Sequence, residues 1–228
     1  MNYFKRIRDL NVSDFYTDLH IHSTWSDGIN SIHEIVQQSK LKKLSTIAIT
    51  DHIRNESTYF NDYYNEIKKM KVDGIVILTG FEVKIKNFQG EVDVSPAVSN
   101  KAEVQIASVH RFPLGRKLFS PDKFNKPICQ EIELELSIAC IRKQQMRVLG
   151  HPGGMSIKAF HEFPIAFFRE IIIECAHNDI VFELNSAYHA EIYKELMPIL
   201  EEYNPYLSFA TDAHTIKEIG QWPHILNK

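Results

Sequence analysis

The chain has 228 residues, 44% of them hydrophobic and 24% charged, with a formal net charge of -3. These values exclude a disordered chain, and the lack of a basic excess disfavours tight, non-specific binding to a phosphate backbone. Cys129, Cys140 and Cys175 are odd in number, widely spaced and in no CxxC pair, which fits reduced thiols in a reducing cytoplasm and not a disulfide framework. The opening MNYFKRIRDLNVSDF has no apolar h-region, and no run approaches the ~20 apolar residues of a membrane span, so neither export nor membrane insertion is indicated.

In chain order, short runs rich in Val, Ile, Leu and Phe alternate with longer segments of helical period. Phe15 to His22 is followed by SIHEIVQQSKLKK, and Leu44 to Asp51 by FNDYYNEIKKM. Gly74 to Ile85 leads into Lys86 to Lys101, whose Gly90 and Pro96 predict a loop or small hairpin in place of a crossover helix. Val104 to His110 precedes QEIELELSIACIRKQQ, Arg147 to His151 precedes AFFREIIIECAHN, Ile180 to Asn185 precedes AEIYKELMPILEEY, and Tyr206 to Thr211 closes the series. Apolar positions at three- and four-residue steps make the longer segments amphipathic helices. Nearly continuous apolar strands between helices imply a parallel sheet covered on its outer face. Seven such runs over this length predict an α/β fold, a small closed or nearly closed barrel forming a single domain across residues 1–228.

The histidines are not scattered. Of 11, His20, His22, His52, His110, His151 and His214 sit at or just past strand ends, and His189 lies somewhat beyond the sixth strand. Asp27, Asp51, Glu82, Glu183 and Asp212 occupy equivalent positions. The C-terminal ends of strands in a parallel barrel all open onto one face, so these side chains are expected to converge. Period two along a strand points His20 and His22 the same way. His33, His161, His177 and His224 fall in helical patterns or loops and are read as ordinary polar residues. Imidazoles and carboxylates without cysteine suit Zn, Mn or Fe, and so many candidates exceed the positions of one tetrahedral ion, which points to two or three divalent metal ions.

The motifs DLHIHS, ITDH, TGFE, SVH, GHP and TDAH, in this order from Asp18 to His214, resemble the polymerase and histidinol phosphatase (PHP) family of metal-dependent phosphoesterases. The resemblance implies a distorted (β/α)7, TIM-like barrel of seven strands and seven helices, with three metals in a cleft at the C-terminal strand ends. Carried over position by position, it implies that His20, His22, Glu82 and Asp212 hold one metal. Glu82 would bridge to a second held by His110 and His151, and Asp27, His52 and His214 would hold a third. Asp27 stands where some relatives have a histidine, which makes the third site richer in oxygen and shifts its preference from Zn toward Mn or Fe. The implied activity is hydrolysis of a phosphoric ester by a hydroxide bridging two of the metals, with Asp212 and His214 as catalytic candidates that assist the leaving group.

Further residues are placed by their neighbours in sequence. Asp18 and Asp51 are candidates to orient ligand histidines, the alternative being that each caps a turn. Arg54 and Arg111, with Arg116 and Lys117 behind them, are placed to reach a phosphate dianion. Asn185, Tyr188 and His189 are expected to line the pocket, and Gly153 with Gly154 to form a permissive turn. The expected partner is a small phosphorylated substrate, histidinol phosphate or a similar phosphomonoester. Phosphoesterase action on nucleotides, nucleic-acid ends or phosphotyrosine is the alternative, although the acidic balance weighs against nucleic acid. A metal-binding module without catalysis ranks lower, and oligomeric state has no signature in the sequence.

Overall fold

The computed structural model describes residues 3–95, 98, 100–115 and 117–226. A short strand β1 (Lys5–Arg6) precedes β2 (Thr17–Ile21), helix α1 (Ile32–Leu41), β3 (Thr46–Ile49), α2 (Phe60–Lys69) and β4 (Val76–Lys84). Next come β5 (Val104–Ser108), a hairpin of β6 (Phe112–Leu114) and β7 (Lys117–Phe119), the long helix α3 (Lys126–Lys143) and β8 (Val148–Gly150). The chain ends with α4 (Gly154–Phe160), α5 (Ile165–Asn178), β9 (Val181–Asn185), α6 (Ser186–His189), α7 (Tyr193–Tyr203), β10 (Tyr206–Ala210) and α8 (Trp222–Leu226).

The main sheet runs β1-β10-β9-β8-β5-β4-β3-β2, with β1 antiparallel to β10 and every other neighbouring pair parallel. The parallel strands correspond to the seven apolar runs of the sequence. The two ends of the sheet meet through a bridge from Ile21 to Ala213, where the His22 N–H donates to the Ala213 carbonyl at 2.9 Å. The sheet is therefore curled into a nearly closed, TIM-like barrel.

Two apolar layers follow from strand alternation. Leu19, Ala48, Leu78, Val104, Ile106, Val148 and Val181 fill the barrel interior, with Phe4 packed against them. The alternate residues, among them Ile47, Ile49, Phe81, Val83, Ala107, Phe182 and Phe209, face outward onto the helices. On α1 the buried face is Ile32, Ile35, Val36 and Ser39, and the helix starts where Ser31 and Glu34 form a reciprocal capping box. On α5 it is Phe168, Ile171, Ile172 and Cys175.

The start of the segment after β4 forms a small hairpin, one of the two alternatives expected there, through a bridge from Ile85 to Val92, while residues 96, 97 and 99 of that segment, Pro96 among them, lie outside the described residues. The β6–β7 hairpin lies in a stretch where Pro113 and Gly115 interrupt any alternation, so the sequence alone gives no strand there. Of the two glycines expected to form a permissive turn, Gly153, at φ +74°, supplies it, and Gly154 already opens α4.

Candidate metal centre

The site is the upward continuation of the barrel interior. Along β4 the inward file runs from Leu78 through Gly80 to Glu82, so the residue type changes from apolar to acidic as the strand reaches its C-terminal end. Past β3 the same alternation leads from Ala48 to His52, and past β5 from Val104 and Ile106 to His110. β2 departs from simple alternation. Asp18 pairs with Ile47 and Ile21 with Ile49, three steps against two, so one extra residue is inserted between them. This bulge lets His20 join the interior that Leu19 already faces, and His22 follows on the same side.

The Nε2 atoms of His20 and His22 stand 3.1 Å apart, and each lies 3.6 Å from Glu82 Oε2. Asp212 Oδ1 is 3.5 Å from His20 Nε2 and 3.1 Å from His22 Nε2. Glu82 turns its other oxygen, Oε1, to His151 Nε2 at 3.0 Å and His110 Nε2 at 3.1 Å. Asp27 Oδ2 lies 3.2 Å from His52 Nε2 and 3.4 Å from His214 Nε2. All nine residues expected as ligands are thus brought together in three adjoining groups, with Glu82 shared. Donor atoms on a tetrahedral ion with bonds of about 2.0–2.1 Å stand about 3.4 Å apart, so the spacing fits a metal in each group. Glu82 Oε2 is buried, 2.9 Å from His52 Nδ1 and facing His20 and His22, yet makes no well-directed hydrogen bond among the described residues, as a carboxylate placed to meet a cation would.

The charges in the cluster act on one another. Burial pulls His52 down, but Glu82 and Asp27 outweigh it and push its pKa up to about 10. For His214 the hydrogen bond to Asp27 outweighs burial and raises the value to about 8. His110 goes the other way, since burial prevails over Glu82 and lowers it. Burial would raise Glu82, yet His110, His20 and His52 hold it well below the carboxylate range. Asp27 and Asp212 are likewise held down by their histidine neighbours against the effect of burial. The carboxylates are therefore anionic and several imidazoles carry protons, positive charge that a divalent cation would replace.

The orienting contacts differ from those expected. Asp51 accepts hydrogen bonds from the Ser23 N–H, the Ser23 hydroxyl and the Ser26 hydroxyl at 2.9, 2.7 and 2.6 Å, holding the turn after β2. At Gly28 in that turn a Cβ would lie 2.3 Å from the His22 carbonyl oxygen, so only glycine allows the close return. Asp18 accepts from the Thr211 N–H, the Thr211 hydroxyl and the Gly220 N–H at 3.1, 2.6 and 2.9 Å. Both aspartates take the turn-capping alternative. The carboxylate that orients ligands is Glu183, on the inner file of β9. It accepts from His20 Nδ1 at 2.9 Å, from the His151 N–H at 3.0 Å and from Asn185 Nδ2 at 2.7 Å. The sequence marked Glu183 as a strand-end acid without a role; its inward parity with Val181 was the signal available. His151 and Asp212 both adopt positive φ, +28° and +53°; Glu183 holds the His151 N–H, and Tyr188 and His22 hold the Asp212 carboxylate. Below His151, Glu133 accepts from the Met155 and Ser156 N–H groups at 2.9 and 2.8 Å and so fixes the start of α4.

Of the residues expected to touch substrate, two are placed elsewhere. His189 is fully buried; its Nδ1 accepts from the Asn185 N–H at 3.0 Å and its Nε2 donates to the Pro152 carbonyl at 2.9 Å. Asn185 is also fully buried, donating to Glu183 and accepting from the Ala187 N–H at 3.0 Å. Both are corrected from pocket lining to internal bracing: Asn185 ends β9 and caps α6, which carries His189 onto the Pro152 carbonyl. Tyr188 between them does reach the centre, its hydroxyl donating to Asp212 Oδ2 at 3.1 Å. Arg54 is half-buried, 3.4 Å from the Ile53 carbonyl, while Arg111 and Lys117 are exposed. Arg116 lies outside the described residues.

The profile of the PHP domain matches residues 18–207. A "Probable phosphatase" of Serratia proteamaculans (strain 568) is 23% identical over 218 residues, covering 91% of this chain and 82% of that protein. A "Probable phosphatase" of Shewanella loihica is 24% identical over 217 residues, covering 90% and 81%. The crystal structure of histidinol phosphate phosphatase from Lactococcus lactis, complexed with zinc, L-histidinol and phosphate, superposes with a TM-score of 0.72 at 18% identity, over 92% of this chain and 90% of that one. At that identity the superposition establishes the barrel, and the profile match over most of the chain establishes the lineage: this chain belongs to the PHP domain family.

Proposed function

We propose that this metal-dependent phosphatase hydrolyses a small phosphomonoester, with His20, His22, Asp27, His52, Glu82, His110, His151, Asp212 and His214 holding two or three divalent ions. The observation that carries the reading is the set of three ligand-spaced groups, two of which share Glu82, with His22 and His52 linking them to the third. Bound ions of this kind supply Lewis acidity toward phosphoryl oxygens and lower the pKa of water.

The protein's own residues fix the geometry. With Nδ1 hydrogen-bonded to Glu183, His20 presents Nε2 to the centre. His214 Nδ1 lies 2.8 Å from the Asp212 carbonyl, which leaves Nε2 facing Asp27. Tyr188 holds Asp212 Oδ2, turning Oδ1 toward His20 and His22. Asp212 and His214 are proposed to assist protonation of the leaving oxygen, and the exposed Arg111, next to His110, to reach the phosphate. The similarity to a phosphatase that binds L-histidinol and phosphate supports a small organic substrate. Three buried thiols fit a reducing, cytoplasmic setting, and no helix among the described residues is long and apolar enough to cross a membrane.

The test is elemental analysis of purified protein alongside hydrolysis of p-nitrophenyl phosphate and bis-p-nitrophenyl phosphate with added Mn or Zn. Two or three metals per chain with monoester turnover is the expected result. Turnover of the diester alone would redirect the assignment to nucleotides or nucleic-acid ends, and bound metal with neither activity would favour a non-catalytic module.

A further inference from the structure

A groove of about 420 Å³ opens between the hairpin that follows β4 and the β6–β7 hairpin, lined by Lys84, Lys86, Asp93, Pro113, Lys117 and Leu118 among others. Its position is tied to the metal centre by the chain itself. Lys84 is two residues beyond Glu82 on the same inward file of β4, which at about 3.3 Å per residue puts its backbone about 7 Å further toward the rim. Pro113 follows His110 by three residues. Asp93 joins the groove to the loop beyond His52, pairing with Lys84 Nζ at 3.0 Å and accepting the Asn55 N–H at 3.4 Å.

The charge of this groove is opposite to that of the whole chain. Lys84, Lys86 and Lys117 line it with Asp93 as the one carboxylate among its lining residues, in a protein of net charge -3. Asp93 answers Lys84, and among the described residues no carboxylate pairs with Lys86 or Lys117. Concave walls that concentrate one sign of charge attract the opposite sign and repel their own.

We propose that this groove receives the alcohol portion of the substrate and that this portion is anionic. The substrate is then a phosphomonoester that carries a second negative group, a carboxylate or another phosphate, a few bonds from the scissile phosphorus. An alcohol bearing an ammonium group, such as histidinol, meets like charge at Lys86 and Lys117 and is disfavoured. The inference rests on the phosphomonoester reading for the reacting end and adds the charge of the other end.

Equilibrium binding to the metal-loaded protein separates the two ideas. The probes are 4-phosphonobutyrate and butylphosphonate, which share a non-hydrolysable phosphonate and differ by one carboxylate. The expected result is binding of the carboxylate-bearing probe at least about tenfold tighter, with that ratio falling toward one in Lys86→Gln/Lys117→Gln and inverting in Lys86→Glu/Lys117→Glu. A ratio near one in the unaltered protein, or an unchanged ratio in the variants, overturns the groove assignment. Hydrolysis of p-nitrophenyl phosphate with a ratio near one would mean that the phosphatase reading stands and the groove assignment fails. A tenfold ratio without turnover of any phosphomonoester would mean the reverse.

Discussion

The two ends of the barrel interior are built from the same strands yet have opposite character. The lower end is a plug of Leu19, Ala48, Leu78, Val104, Ile106, Val148 and Val181, fully or almost fully buried and without a polar side chain. Two to four residues further along the same strands stand Glu82, His110, Glu183 and the other groups of the candidate metal centre. The lower layer is stabilised by removing apolar surface from water. In the upper layer burial opposes the charged forms; neighbours in the cluster outweigh it at Glu82, Asp212, His52 and His214, while at His110 burial prevails. One alternation of side chains thus fixes a region whose role is stability and a region whose role is chemistry.

Substitutions should separate the two. Glu82→Gln or His20→Ala should remove bound metal and abolish turnover while the protein still unfolds cooperatively, as read by phosphate release and thermal melting. Leu78→Ala, in contrast, should cost about 2–5 kcal/mol of stability and leave the activity of the folded fraction intact, as read by denaturant titration and active-site normalised rates. If both classes lost activity and stability together, the division between layers would be wrong.

A smaller effect is expected one step out from the ligands. Glu183→Gln keeps the side-chain volume but weakens the grip on His20 and on the His151 backbone, and should reduce metal affinity or activity about 10–100-fold. Metal titration and steady-state kinetics read this. An unaltered variant would make Glu183 a bystander.

Metal loading should also depend on pH. In the metal-free protein His214 titrates near 8 and His52 near 10, both raised, so both hold protons at neutral pH. A metal must displace those protons, and its apparent affinity should rise with pH by up to about tenfold per unit for each proton released, flattening for His214 above its own value. Calorimetry between pH 6 and 8 checks the sign, and affinity that falls over this range contradicts it. The smallest effect belongs to His33, exposed on α1, where His33→Ala should leave turnover unchanged.

The parts of this account that were legible in the sequence are those set by local pattern. Continuous apolar runs such as Leu44 to Asp51 announce buried parallel strands, and the convergence of the candidate ligands at the strand ends follows from the shared direction of those strands. What was not legible depends on pairing between distant segments. The bulge in β2 exists only against Ile47 and Ile49. The orientation of His189 and Asn185 depends on a four-residue helix, α6, that tucks both under Pro152 and Glu183. Asp18 and Asp51 adjoin ligand histidines in sequence, yet their nearest donors come from Thr211 and Gly220 and from Ser23 and Ser26. The β6–β7 hairpin, too short and too interrupted for periodicity, was hidden for the same reason, and it forms one wall of the lysine groove.

The central claim is that these nine strand-end residues form one metal centre pivoting on Glu82. The most direct measurement is the metal content per chain of the purified protein and of Glu82→Gln, by elemental analysis after identical loading. Two or three ions in the former, and loss of at least one in the variant, is the result predicted. Equal content in both, or no bound metal in either, would contradict the account.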